Sequence, residues 1–81
     1  MNDKVLFDVL SGAKDANIKF KDLQNLLESL GFNCRVKGDH FIYKNKDIPE
    51  RINIQPIGNK AKSYQVKQVR QIILKYHLGG E

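Results

Sequence analysis

The sequence has few of the residues that build disulfide-stapled, zinc-stabilised or membrane-spanning proteins. A single cysteine excludes a disulfide within the chain, and one cysteine with two histidines cannot complete a structural zinc site without carboxylates or a second chain. The longest purely aliphatic runs are three residues, such as Ile72-Ile73-Leu74, far too short for a membrane span. The N-terminus lacks the basic-then-apolar order of a signal peptide. These absences predict a reduced, cytoplasmic protein.

Length and charge narrow the class of protein further. A chain of 81 residues fits one domain, residues 1–81, with too little buried volume for a deep cofactor cavity, so we expect no cofactor. The net charge of +5 is uneven, because residues 1–31 carry a net −1 and residues 32–81 a net +6. This asymmetry favours a polyanion partner, nucleic acid first. The alternative is that the charges only keep the surface soluble.

The hydrophobic pattern predicts an α+β domain. Residues 2–10 and 21–30 have helical spacing, and the second segment carries a leucine stripe that ends at Gly31. Alternating residues predict strands over 32–37, 40–44 and 51–55, separated by a turn at Gly38-Asp39 and a loop over 45–50. A last helix over 63–77 starts at Ser63 as N-cap. The expected order is α-α-β-β-β-α, with helices packed on one face of a three-stranded antiparallel sheet.

His40 is the candidate for chemistry. It opens a strand after a tight turn, between Lys37 and Lys44. An imidazole among lysines can move protons at neutral pH while the lysines hold a phosphate, and RNA supplies its own nucleophile, the 2′-hydroxyl. An exposed histidine without a role fits the same spacing. His77 lies at the end of the last helix, where a structural role is favoured.

Other chemistry-bearing residues have two interpretations each. Cys34 alternates with Phe32 and Val36, which predicts a buried small apolar residue rather than a nucleophile. Phe41 and Tyr43 share one strand face and either stack on bases or pack in the core. Basic residues from several elements would form a phosphate-binding surface if those elements meet at one sheet edge, and are otherwise a solvated surface: Lys37, Lys44, Lys60, Lys62, Lys67 and Arg70.

Residues 17–78 contain the ordered segments Leu30-Gly31-Phe32, Arg35-Val36-Lys37 and Gly38-Asp39-His40. In these segments the chain resembles the HicA family of small bacterial mRNA interferases, which are toxins of toxin–antitoxin systems. The family pattern is a helix ending in Leu-Gly-Phe, a basic strand, and Gly-Ser-His followed by an aromatic-rich strand. A third strand, a proline, a lysine-bearing loop and a helix follow in the family's order. Residues 1–16 are then an extra N-terminal helix and connection.

The resemblance implies a fold similar to a double-stranded-RNA-binding domain and a metal-independent RNA endonuclease in which His40 is catalytic. It also implies a HicB-like antitoxin that covers the site. Two positions depart from the pattern: Asp39 replaces the usual serine, which favours the imidazolium and repels phosphate, and Phe41 replaces a second histidine of many members. The RNA-binding candidates are Lys37, Gly38, Lys44, Lys60, Lys62 and Lys67.

Two other functions stay open at this point. The chain could be a non-catalytic RNA-binding module, which would hold RNA by its shape and 2′-hydroxyls. It could also be a protein-interaction subunit whose basic face binds an acidic partner.

Overall fold

The computed structural model describes residues 3–79, which form three helices, a three-stranded antiparallel sheet and a small two-stranded hairpin. The elements are α1 (Asp3–Ser11), a 3-10 turn (Asp15–Asn17), α2 (Phe20–Ser29), β1 (Asn33–Lys37), β2 (His40–Asn45), β3 (Ile48–Ile54), β4 (Pro56–Ile57), β5 (Lys60–Ala61) and α3 (Ser63–Tyr76). The predicted α+β class and the order α-α-β-β-β-α are confirmed, and the β4–β5 hairpin is an addition before α3. The part of the predicted first helix at Asn2 lies outside the described residues.

The hairpin between β1 and β2 fixes the register around His40. Its turn consists of Gly38 and Asp39, and Gly38 has a φ of +64° at the first central position, as a type II′ turn requires. The two-residue turn leaves Lys37 and His40 directly opposite each other. Because a slip of one residue would move every side chain to the other face, this turn decides which face carries His40.

The hairpin between β2 and β3 differs from the prediction of a loop over residues 45–50. β3 begins at Ile48, which is buried and pairs with Asn45, so the turn is only Lys46 and Asp47. The Asn45 side chain accepts a hydrogen bond from the Asp47 amide at 2.9 Å and holds this turn. Pro49 lies inside the strand because β3 is at the edge of the sheet, where a missing amide hydrogen is tolerated.

One core joins the helices to one face of the sheet. Its deeply buried side chains come from α1, α2, the sheet and α3: Val9, Leu23, Leu26, Leu27, Tyr43, Ile52, Ile54, Val66, Val69 and Ile73. The leucine stripe of α2 is therefore confirmed as a core face. The Tyr43 hydroxyl is buried with no hydrogen-bond partner among residues 3–79, and burial raises the pKa of this phenol.

The start of α3 is tied to the sheet by side chains other than the predicted cap. Lys62, not Ser63, occupies the N-cap position, and no side-chain hydrogen bond caps the helix. Instead, Gln65 is buried and its side-chain oxygen accepts the Gln55 amide at 2.7 Å, which joins the first turn of α3 to the end of β3. Between residues 3 and 79, no helix has both the length and the apolar composition needed to cross a lipid bilayer.

Candidate nucleic-acid interface

The helices cover one face of the sheet and leave the other face open. This arrangement shows which side chains of β2 are buried, a question that the sequence does not answer. Tyr43 is fully buried, and Phe41 is half-buried with its ring edge-on to Phe20 at a centroid distance of 5.0 Å. Tyr43 therefore belongs to the core, and the alternative that it stacks on bases is wrong, while Phe41 packs against the core on the same face. Because neighbouring strand residues point to opposite faces, His40 and Lys44 lie on the open face.

The register of the three strands assembles the open face row by row. Lys37 pairs with His40, Arg35 with Ile42, and Ile42 in turn with Asn53, while Asn33 pairs with Lys44. Arg51 is two residues from Asn53 on β3 and is exposed, so it lies on the same face. We define the open face by these strand residues: Asn33, Arg35, Lys37, His40, Ile42, Lys44, Arg51 and Asn53.

The open face is positively charged and its bases have no acidic partners nearby. It carries four lysine or arginine residues besides His40, and no strand position on it is an aspartate or glutamate. Within residues 3–79, no carboxylate oxygen lies within 4.0 Å of Arg35, Lys37, Lys44 or Arg51. Such a surface can bind a polyanion without first breaking internal ion pairs.

His40 is exposed but held in place by Asn53. Its side chain is 46% exposed, and its Nδ1 lies 3.2 Å from the Asn53 Oδ1 across the β2–β3 ladder. An amide oxygen only accepts hydrogen bonds, so Nδ1 carries the proton in the neutral ring and Nε2 keeps its lone pair. Nε2 is therefore the atom of His40 that can take a proton from a bound molecule.

Asp39 is close to His40 in the turn. Its side-chain Oδ1 lies 3.7 Å from His40 Nε2, although alternation along a strand would have put the two side chains on opposite faces. The reason is that Asp39 belongs to the turn and not to β2, so strand alternation does not apply to it. Asp39 is 72% exposed, and its carboxylate is positioned to repel a phosphate at His40 Nε2.

The remaining predicted lysines do not all join the open face. Lys62 donates to the Gln55 side chain at 3.4 Å. Gln55 follows the end of β3 that pairs with β2 next to His40, so Lys62 lies at the His40 end of the sheet. Lys60 is on β5 and donates to Asn17 at 2.9 Å, outside the three-stranded sheet. Lys67 is exposed on α3, on the helical side.

Arg70 has a structural role. It donates to both carboxylate oxygens of Asp15 at 2.9 and 3.1 Å and to the Val9 carbonyl at 3.0 Å. This bidentate pair raises the pKa of the Arg70 guanidinium and fastens α3 to α1 and the 3-10 turn. Arg70 thus stabilises the packing of the helical layer and is not part of the open face.

The sequence prediction of the site missed five open-face residues: Asn33, Arg35, Ile42, Arg51 and Asn53. Their strands alternate clearly, and the alternation would have assigned them to the His40 face once Phe41 and Tyr43 were known to be buried. The prediction for Cys34 is wrong, since its side chain is exposed, as is Val36 at 56%. β1 is an edge strand and extends beyond the part of the sheet that the helices cover, and this explains why both side chains are exposed.

Among residues 3–79, no cluster of three or more histidine, cysteine, aspartate or glutamate side chains could hold a metal ion. Comparison of the chain with protein-family models, with curated proteins and with solved structures found no match.

Proposed function

We propose that the chain is an RNA endonuclease of the toxin class that the HicA-like motifs indicate, and that the open face binds the RNA. The single observation that carries the proposal is the position of His40. It is an accessible histidine fixed by Asn53 and surrounded on its own face by bases without acidic partners. A histidine kept only for packing would need neither this exposure nor this charge.

The proposed reaction uses the 2′-hydroxyl of the RNA as nucleophile. His40 Nε2 takes the 2′-hydroxyl proton, the 2′-oxygen forms a bond to the adjacent phosphorus, and the bond from phosphorus to the 5′-oxygen breaks. Water then protonates the 5′-oxygen, and the hydroxide that forms takes the proton back from His40 Nε2. The products are a 2′,3′-cyclic phosphate on one strand end and a 5′-hydroxyl on the other. Lys37, directly opposite His40, is the base best positioned to balance the charge that develops on the phosphate oxygens.

The proposal includes a protein partner and a cellular setting. A HicB-like antitoxin in the cytoplasm would silence the enzyme by covering His40. To do so it would have to present acidic groups to Lys37, Lys44 and their neighbours on the open face.

The test is cleavage of a labelled single-stranded RNA by the purified protein and by His40→Ala. We expect the substitution to lower the cleavage rate by about 100-fold or more, as the loss of a general base does. His77→Asn is the matched control, because it removes the other histidine from a left-handed position, φ 55°, that asparagine also tolerates. Circular dichroism checks that both variants fold.

Two results would contradict the nuclease proposal. One is equal cleavage by the wild type and His40→Ala, which would mean that His40 is not the base. The other is tight RNA binding with no cleavage by either protein, which would identify a binding module instead.

A further inference from the structure

A cavity of about 440 Å³ lies at the end of the sheet opposite the Lys37–His40 turn. It is formed where β1 begins, β2 ends and the second hairpin turns. The lining residues are Asn33, Cys34, Arg35, Lys44, Asn45 and Lys46. Its volume is within the range of small-molecule sites, roughly 300–1,000 Å³.

The chemistry of the lining fits an anion. Arg35, Lys44 and Lys46 supply three positive charges, and none of the described residues that line the cavity is an aspartate or glutamate. None of the three has a carboxylate oxygen within 4.0 Å among residues 3–79. A second cavity, near α1 and α2, is different because its lysines face the carboxylates of Asp8 and Asp22. The charge of the first cavity is therefore not a general property of this protein's surface.

The two amides of the cavity have separate roles. Asn45 donates to the Leu30 carbonyl at 3.4 Å and accepts from the Asp47 amide at 2.9 Å, so its side chain is committed to the wall. Asn33 is exposed opposite Lys44 and makes no side-chain hydrogen bond to residues 3–79. Its amide can donate to and accept from the edge of a nucleobase.

We propose that this cavity is a subsite for one nucleotide of a single-stranded RNA, with its phosphate on Arg35, Lys44 and Lys46 and its base edge on Asn33. The inference rests on the proposed function and extends it, because it assigns a second contact on the substrate. The subsite is about 13 Å from His40, since Lys44 is four steps along β2 from His40 at about 3.3 Å per step. The bound nucleotide is therefore a few positions away from the bond that is cut, with Ile42 between.

Binding is tested with a fluorescent single-stranded hexanucleotide in which every 2′-hydroxyl is a 2′-methoxy group, so that it cannot be cut. We expect Arg35→Gln with Lys44→Gln to weaken binding about tenfold and to lower the salt slope by about 0.7, which corresponds to one phosphate contact on a single strand. The matched control is Lys19→Gln with Lys21→Gln, which removes the same charge from exposed positions at the start of α2. An equal loss in both double variants would overturn the subsite, because it would report only net charge.

A second measurement separates the subsite from the nuclease proposal. For the wild type, we expect cleavage efficiency to rise from a dinucleotide, which cannot reach the cavity, to a hexanucleotide, and we expect this rise to be smaller in the cavity variant. Cleavage of the hexanucleotide that is unchanged in the cavity variant would overturn the subsite and leave the nuclease intact. If no RNA is cut at all, the nuclease proposal fails, and the binding experiment still decides the subsite. Binding of a free nucleoside monophosphate as tight as that of the hexanucleotide would overturn the assignment to an RNA strand.

Discussion

The two faces of the sheet use positive charge in different ways. On the helical side, two basic side chains of α3 have acidic partners: Arg70 donates to Asp15, and Lys75 donates to Glu50 of β3 at 2.6 Å, where Tyr76 also donates at 2.5 Å. On the open face, four basic side chains have no carboxylate within 4.0 Å among residues 3–79. The same residue types therefore hold the fold together on one side and are available to a ligand on the other.

The difference gives a rule for reading a basic small domain. Net charge alone does not distinguish a solubilising surface from a nucleic-acid interface, since both raise the isoelectric point. What distinguishes them here is where the acids are. Glu50 and Asp15 neutralise bases of α3, whereas the strand positions of the open face contain none. Substitutions on the two sides should accordingly change different measurements.

The largest effect on stability is expected from Arg70→Ala on the helical side. The Arg70 side chain is 16% exposed, and its removal leaves the Asp15 carboxylate and the Val9 carbonyl without this donor. We expect the free energy of unfolding to fall by about 2 kcal/mol, measured by urea denaturation. Arg70→Lys keeps the charge but not the bidentate geometry and should lose part of this amount. Weaker RNA binding by folded Arg70→Lys would contradict the division between the two sides.

The reciprocal experiment removes Lys37 and Arg51 from the open face. Lys37→Gln with Arg51→Gln should weaken binding of single-stranded RNA about tenfold and lower its salt slope by about 1.4. Stability should change by less than about 0.5 kcal/mol, because neither side chain has an acidic partner within residues 3–79 to lose. Lys60 and Lys67, which lie outside the open face, are the comparison. A larger loss of RNA binding on substitution of Lys60 and Lys67 would indicate that the RNA binds the helical side.

Asp39 places a negative charge beside the open face, next to His40, the candidate general base. The carboxylate at 3.7 Å from His40 Nε2 opposes a phosphate at that atom, so Asp39→Asn should raise the rate of RNA cleavage several-fold. The scale follows from about 1 kcal/mol for two charges some 4 Å apart in water. His40→Ala with Asp39→Asn is the control that ties any gain to the imidazole. A lower rate in Asp39→Asn would instead show that the carboxylate helps His40.

The strength of local patterns explains how much of the structure was predictable. The leucine stripe of α2 and the turn at Gly38 predict their elements correctly because each is specified by residues close in sequence. The β4–β5 hairpin was missed because its strands have two residues each and are fixed by contacts with the 3-10 turn and α2. Exposure of Cys34 was missed because alternation gives the phase of a strand but not how far the helices extend over it.

The candidate site was predictable in part for the same reason. His40 and Lys37 flank one short turn, so their proximity follows from the sequence. Asn53 is 13 residues away, and its contact with His40 exists only after the register of β2 and β3 is set. That register depends on the bulge between Tyr43 and Asn45, for which the sequence has no local signal. Long-range partners of a site residue need the tertiary structure.

The smallest expected effect is a dependence of stability on acid that belongs only to the helical side. Hydrogen bonds from Lys75 and then Tyr76 lower the pKa of Glu50 to about 2, from 4.5 for an unperturbed glutamate. A depressed pKa means that the contribution to stability is complete above pH 4.5 and is lost as the pH falls through about 2.

Glu50→Gln should therefore flatten part of the decline in urea midpoint between pH 4.5 and about 2, and Tyr76→Phe should flatten less of it. Open-face variants such as Lys44→Gln should keep the full decline, because no carboxylate lies within 4.0 Å of Lys44 among residues 3–79. If Lys44→Gln flattened the curve as much as Glu50→Gln does, the charges of the two sides would be coupled and the separation of their roles would fail.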